Sequence, residues 1–179
     1  MRMVLRALAV TAALAIVTTA SAHGPTRRKL QQQVEINAEP AKVWAAIGNF
    51  QDMSWLGLVA KTEGDKGSEI GATRRLTLKN GATVDEELYK YDAEKMSYSY
   101  RITAVDVKVL PVTNYSSTIT VSPGTDGKGS VVEWAGAFYR GYPNNDPPPE
   151  LNDEAAIAAV TGLYRDGLDG LKKKLEGGS

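Results

Sequence analysis

The chain has 179 residues, and its 21 basic residues balance its 21 acidic residues. This balance excludes the basic surplus that drives nucleic-acid binding. The chain has no cysteine, which excludes disulfides, thiol catalysis and cysteine-bound metal or haem. Its length suits one domain with a core large enough to fold without covalent cross-links.

The first 22 residues have the three-part layout of a secretory signal peptide. Arg2 and Arg6 give a positive start, residues 7–20 carry no charge, and residues 20–22 offer an Ala-Ser-Ala cleavage site. The uncharged run is shorter than the roughly 20 residues that span a bilayer, although an uncleaved anchor is the alternative. We expect cleavage after Ala22 and no membrane attachment afterwards. An exported protein without cysteine fits the bacterial periplasm.

The single histidine, His23, becomes the first residue of the predicted mature chain. A terminal histidine can chelate copper, but such a site needs a further nitrogen ligand and the mature chain has no second histidine. We predict a flexible leader over residues 23–32 and a single domain over residues 33–177. Because interior histidine and cysteine are absent, the commonest general bases and nucleophiles are absent too. Any catalysis would have to rest on Asp, Glu, Lys, Tyr or Arg, and we expect no catalytic residue, no metal and no cofactor.

The predicted elements begin with a loosely alternating strand over residues 30–38. Pro40 then opens a short helix that ends at Gly48, and residues 50–56 are predicted as a second short helical segment. Beyond them the apolar pattern changes to period two, with turn residues at regular intervals. Six further strands are predicted, at residues 59–63, 71–78, 82–91, 95–105, 113–122 and 129–139. Because strand follows strand without intervening helices, we expect an antiparallel sheet.

A long helix is predicted after the proline- and asparagine-rich residues 141–149. Asn152 or Asp153 can cap it. The oxygen-bearing side chains of this region could suit calcium, but their spacing matches no known loop, which favours capping. One apolar stripe runs along the helix: Ile157, Val160, Tyr164, Leu168, Leu171 and Leu175. The predicted fold class is α+β, a helix-grip fold whose seven-stranded antiparallel sheet wraps around the long C-terminal helix, with two short helices after the first strand.

The turn at Asn80-Gly81 sets the register of the first hairpin. A three-residue loop with glycine in the left-handed conformation pairs Leu76 with Val84, whereas a two-residue loop places apolar residues opposite polar ones. The three-residue loop also sets Arg74 opposite Glu86. We prefer this register because it keeps one face apolar.

A similar short loop at residues 92–94 predicts Leu88 opposite Tyr98 and Glu86 opposite Tyr100. On this register Glu86 points toward the core, where burial would raise the pKa of a lone carboxyl and an arginine would keep it ionised. One interpretation is a polar spot on the wall of a ligand cavity, or a general base. The alternative, which we favour over catalysis, is an ion pair within the sheet.

Aromatic residues are the remaining candidates for a ligand site. Trp55 could gate the mouth of a cavity or pin its own segment to the sheet. The others could line a cavity or fill the core: Tyr98, Tyr100, Trp134, Phe138 and Tyr164. With Arg74 and Glu86, these six complete the set of candidate ligand-binding residues.

This layout resembles the START/Bet v 1 (SRPBCC) superfamily and its polyketide cyclase/dehydrase-like members. The resemblance covers about residues 33–176 and rests on VEINAEPAKVW at residues 34–44, VDE at 84–86, YSY at 98–100 and the last helix. More narrowly, IGNFQDMSW at residues 47–55 and AIAAVTGLY at 156–164 resemble the MxaD group, periplasmic proteins associated with bacterial methanol oxidation. The group often has His-Pro after this tryptophan, and this chain has Leu-Gly instead.

The MxaD resemblance implies an exported, non-catalytic helper that assists a methanol dehydrogenase and its cytochrome c acceptor. The sequence leaves two alternatives. The first is a carrier of a small apolar ligand held between sheet and helix, for which a cavity of about 300 Å³ or more would be expected. The second, weaker alternative is a cyclase- or isomerase-like enzyme that uses Glu86 with Tyr100.

Overall fold

The computed structural model describes residues 24–125 and 127–177. The predicted signal peptide and His23 lie outside the described residues. Among the described residues, seven strands and two α-helices make up the fold. The strands are β1 (Arg28–Ile36), β2 (Val59–Gly64), β3 (Thr73–Leu78), β4 (Thr83–Asp92), β5 (Ser97–Val105), β6 (Val112–Pro123) and β7 (Ser130–Arg140); the helices are α1 (Pro40–Ile47) and α2 (Asp153–Glu176).

All strands belong to one sheet with the order β1-β7-β6-β5-β4-β3-β2, and every neighbouring pair is antiparallel. The long helix α2 packs on β1 and β7 at one side of the sheet. This is the predicted helix-grip α+β fold. Within the described ranges, no helix is long and apolar enough to cross a membrane.

The start of β1 and the region after β1 each differ from the prediction. Strand β1 begins at Arg28, so the last five residues of the predicted leader are in the sheet. One short helix, α1, follows β1, and the second predicted helical segment forms a series of turns. Asn49 and Asp52 each accept a hydrogen bond from the backbone N–H two residues further on. Such local bonds compete with helical hydrogen bonding, which explains the turns.

The first hairpin has the predicted register, because Arg74 lies opposite Glu86 and Leu76 lies opposite Val84. Gly81 has a φ of 85°, the left-handed conformation expected of the loop glycine. The sheet therefore places the arginine and the carboxylate side by side on its inner face.

The predicted register of the second hairpin was wrong by two residues. Leu88 lies opposite Tyr100 and Glu86 lies opposite Ile102, because Asp92 pairs with Ser97 across a loop one residue longer than predicted and irregularities interrupt the ladder. Such bulges insert an unpaired residue and cannot be read from an alternating pattern alone.

Helix α2 turns its apolar stripe toward the sheet, with one difference from the prediction. Val160, Tyr164, Leu168 and Leu171 are fully buried, as the stripe predicts. Ile157, however, is one of the few exposed large apolar residues, and the core position is taken by its neighbour Ala156.

Candidate functional site

A cavity of about 320 Å³ lies between the inner face of the sheet and α2. Strands β3, β4 and β5 form one wall, the turns after α1 and the loop before β6 form its ends, and α2 forms the opposite wall. Most of the lining is apolar: Met53, Leu56, Leu58, Leu76, Leu78, Val84, Ile102, Val109, Leu110, Tyr115, Trp134 and Leu163. At liquid density this volume corresponds to about ten water molecules, so a molecule of one or two rings would fit.

The cavity exists because α2 covers only part of the sheet. The helix packs on β1 and β7, and the side it turns toward the cavity carries the small residues Ala158, Ala159 and Gly162. A Cβ added at Gly162 would meet no other atom within 4 Å, so this part of the wall is open. Small side chains on the helix thus leave unfilled the space that larger ones would occupy.

Arg74 and Glu86 form a buried ion pair, in which Glu86 lines the cavity wall and Arg74 lies behind it. Arg74 Nε donates to Glu86 Oε2 at 2.6 Å, and Arg74 Nη1 donates to the backbone oxygen of Phe50 at 2.6 Å. The guanidinium lies over the ring of Phe50, with its carbon 4.1 Å from the ring centroid. These contacts hold the arginine rigidly, so the position of the carboxylate at the wall is fixed.

The electrostatic surroundings of this pair are those of a desolvated site. Burial raises the pKa of the Glu86 carboxyl, while the charge of Arg74 and its hydrogen bond act in the opposite direction. Burial, followed by the charge of Glu86, raises the pKa of Tyr100 well above its usual value. Tyr100 is therefore a protonated phenol at neutral pH, able to donate a hydrogen bond.

The structure brings three of the eight candidate ligand-binding residues to the cavity wall: Glu86, Tyr100 and Trp134. Arg74 lies behind the wall and acts through Glu86. Trp55 packs on Trp134 with ring centroids 5.5 Å apart, so it pins its segment to the core.

The other three candidate residues belong to the packed core. Tyr98 is buried between Phe50 and Tyr100, and burial raises its pKa to about 12. Phe138 stacks on Tyr115 with ring centroids 6.2 Å apart. Tyr164 stacks on the Trp134 ring at 4.5 Å, and thus supports the cavity wall from behind.

Tyr115 lines the cavity and was missed in the sequence analysis. Its hydroxyl lies 2.8 Å from that of Tyr164, which also lies 2.8 Å from Ser117 Oγ. The period-two pattern of β6 could have identified it, because Tyr115, Ser117, Ile119 and Val121 share one buried face.

The region before α2 has the capping role expected of it. The Asn152 side chain accepts a hydrogen bond from the N–H of Ala155 at 2.8 Å. Asp153 accepts hydrogen bonds from Arg28 at 3.1 Å and from Arg140 at 3.4 Å. Residues 24–125 and 127–177 contain no group of three or more acidic or histidine side chains that could hold a metal ion.

Comparison with known proteins assigns the fold to a family. The family model for polyketide cyclase / dehydrase and lipid transport matches residues 27–176. No curated protein matches the chain significantly. The protein XoxI from Bacillus cereus is 33% identical, with a TM-score of 0.69, covering 82% of this chain and 94% of that one.

Two further solved structures are similar. An uncharacterised protein from Bacillus thuringiensis is 32% identical, with a TM-score of 0.70, covering 83% of this chain and 98% of that one. Norcoclaurine synthase from Thalictrum flavum, in complex with dopamine and hydroxybenzaldehyde, is 16% identical with a TM-score of 0.64. The alignment covers 97% of this chain and 99% of the synthase, and at this identity it shows a shared fold alone.

Proposed function

Since the chain belongs to the polyketide cyclase / dehydrase and lipid transport family, we propose that it carries a small apolar molecule in this cavity. The observation that supports the proposal is the cavity itself. Its volume of about 320 Å³ exceeds the roughly 300 Å³ expected of a ligand carrier. Ligand sites typically measure about 300–1,000 Å³, are mostly apolar and contain a few fixed polar groups. Here Glu86 and Tyr100 supply those groups.

Two glycines of α2 offer a matched test of this function. Gly162 lines the cavity, whereas Gly170 lies two turns further along the same helix and outside the lining. A Cβ at either position would meet no other atom within 4 Å. Leucine at residue 162 would project into the mouth of the cavity, and leucine at residue 170 would raise helix propensity to the same extent without entering it.

The experiment is a titration with naphthalene, followed by calorimetry and by quenching of tryptophan fluorescence. We expect saturable binding to the wild type, with affinity at least about tenfold lower for Gly162→Leu and within about twofold of wild type for Gly170→Leu. Equal effects of the two substitutions, or failure of the wild type to bind naphthalene or any derivative of it, would contradict the proposal.

A second candidate function is the accessory role in methanol oxidation that the MxaD resemblance implies. The 33% identity to XoxI, over 94% of that chain, favours it. In this role the protein would assist electron transfer from a periplasmic dehydrogenase to its cytochrome c. Pull-down from periplasmic extract should recover a dehydrogenase or a cytochrome, and recovery of neither would count against this role.

We propose that the protein works in the periplasm after export. The support is the three-part pattern of residues 1–22. N-terminal sequencing of the protein from a periplasmic fraction should begin at His23. A chain that keeps Met1, or that stays with the cytoplasmic fraction, would contradict export.

A further inference from the structure

The cavity wall carries a carboxylate oxygen, Glu86 Oε1, that has no partner among the residues that the structure describes. Arg74 occupies Glu86 Oε2, and Oε1 accepts no hydrogen bond from any described residue. Tyr98 Oη has no hydrogen-bond partner and is sealed inside the protein. Glu86 Oε1 and Tyr100 Oη differ from it because neither is sealed. Glu86 and Tyr100 both line the cavity, and Glu86 also borders an open surface groove beside Arg75 and Asp85. Because neither oxygen is sealed, a ligand in the cavity is the candidate partner for both.

We infer that the cavity selects an uncharged molecule with an apolar body and one hydroxyl group, which donates its hydrogen bond to Glu86 Oε1. The inference rests on the proposed function and deepens it by naming the ligand class, an alcohol or phenol. Tyr100 Oη, held protonated, would donate to the oxygen of the same hydroxyl. One hydroxyl can satisfy both groups because it is donor and acceptor at once.

Charge argues against an anionic ligand. Glu86 would face a ligand carboxylate across the cavity, and Asp166 adds a second negative charge at the exposed rim on α2. Because Arg74 already offsets the charge of Glu86, a ligand carboxylate would lose its hydration without meeting an unbalanced positive charge, and Glu86 Oε1 has no proton to donate to it. A fatty acid entering with its carboxylate inward is therefore disfavoured.

Charge argues equally against a cationic ligand at this position. Arg74 Nε lies 2.6 Å from Glu86 and already balances its negative charge. An ammonium group beside Glu86 would lose its hydration and would meet a carboxylate whose charge Arg74 already offsets, while Asp166 lies at the exposed rim where water screens its charge. A neutral hydroxyl group loses less hydration than an ammonium group. It still donates a hydrogen bond to a charged acceptor, and such a bond is stronger than one between two neutral groups.

Four probes with one naphthalene body test the inference: naphthalene, 2-naphthol, 2-naphthoate and 2-naphthylmethylammonium. At neutral pH naphthalene is apolar, 2-naphthol is neutral and carries one hydroxyl, 2-naphthoate is an anion and 2-naphthylmethylammonium is a cation. We expect 2-naphthol to bind the wild type about tenfold more tightly than naphthalene. Both charged probes should bind more weakly than 2-naphthol.

Substitutions of Arg74 and Glu86 test whether this ion pair causes the preference for 2-naphthol over naphthalene. Arg74→Met with Glu86→Leu replaces both partners, so no unpaired charge stays buried, and the ratio of 2-naphthol to naphthalene affinity should fall to about one. Glu86→Gln removes the charge and replaces one acceptor oxygen by an NH2 donor, so it should raise the affinity of 2-naphthoate relative to 2-naphthol. Glu87→Gln is the matched control, since Glu87 pairs with Arg101 outside the cavity and its loss should leave the ratio unchanged.

The outcomes separate the inference from the function on which it rests. Failure of all four probes would overturn both. Equal binding of naphthalene and 2-naphthol, or tightest binding of a charged probe, would overturn the inference and leave the carrier function standing. A 2-naphthol preference that persists in the Arg74→Met, Glu86→Leu variant would overturn the role of Glu86.

Discussion

The carboxylate of Glu86 is stable in the core because Arg74 accompanies it. The two side chains are 6% and 0% exposed, so removing either partner alone leaves a buried charge without compensation. We expect Arg74→Met to lower the free energy of unfolding by about 3–5 kcal/mol. Combining it with Glu86→Leu should restore much of this loss. Urea unfolding of both single variants and the double variant measures the coupling, and additive losses would contradict it.

Gly136 is a position where a neighbouring side chain leaves no room for a Cβ atom. A Cβ there would collide with the hydroxyl of Tyr164, and would also lie 3.1 Å from the backbone oxygen of Ser116. We expect Gly136→Ala to cost about 1–3 kcal/mol of stability. Tyr164→Phe, which costs about 1 kcal/mol alone through its lost hydrogen bonds, should reduce the penalty of the alanine. Thermal unfolding that shows the same penalty in both backgrounds would refute the collision.

At the scale of elements, two glycines of α2 have opposite surroundings. A Cβ at Gly167 would lie 2.8 Å from the Trp134 ring and 2.9 Å from Leu56, whereas a Cβ at Gly170 would meet nothing within 4 Å. Alanine favours a helix over glycine by up to about 1 kcal/mol. We therefore expect Gly170→Ala to stabilise the protein and Gly167→Ala to destabilise it. Denaturant midpoints with shifts of the same sign would contradict this close packing.

The N-terminus of α2 is held by one charged and one uncharged side chain. The hydrogen bond from Arg28, with the charges of Arg28 and Arg140, holds the pKa of Asp153 below its usual value of 3.8. A lowered folded-state pKa stabilises the protein above the unfolded pKa, and this stability is lost as pH falls through the folded-state pKa. Asp153→Asn should cost about 1 kcal/mol at pH 7 and progressively less below about pH 4.

Asn152 provides the matched control for this pH dependence. Its side chain caps the same helix and carries no charge, so Asn152→Ala should cost about 1 kcal/mol at neutral and acidic pH alike. Chemical unfolding from pH 7 to pH 2.5 measures both variants. A cost of Asp153→Asn that stays constant over this range would show that its ion pairs contribute nothing.

At the scale of the whole molecule, periodicity predicted the sheet, the long helix and the Arg74–Glu86 pair. These features depend on the periodicity of apolar residues and on the loop conformation at Gly81. Both are properties of residues that are close together in the sequence. The register of β4 with β5 depended on irregular pairings, and the cavity depended on where α2 crosses the sheet. Neither is a local property, so Tyr115 was missed and the pattern could not decide whether Phe138 lines the cavity or fills the core.

The carrier function predicts where on the molecule a small apolar ligand binds. Besides the inner cavity, the described residues form an open groove of about 320 Å³ on strands β1, β6 and β7, beside the exposed Tyr89. The two sites share no lining residue, so the methyl groups of Leu76, Val84 and Leu163 report on the cavity and that of Ala137 reports on the groove.

A methyl NMR titration with naphthalene is therefore the most direct test of the carrier function. The structure predicts saturable shifts at Leu76, Val84 and Leu163 with no change at Ala137. Shifts confined to Ala137, or no saturable shift at any of these methyl groups, would contradict binding in the cavity.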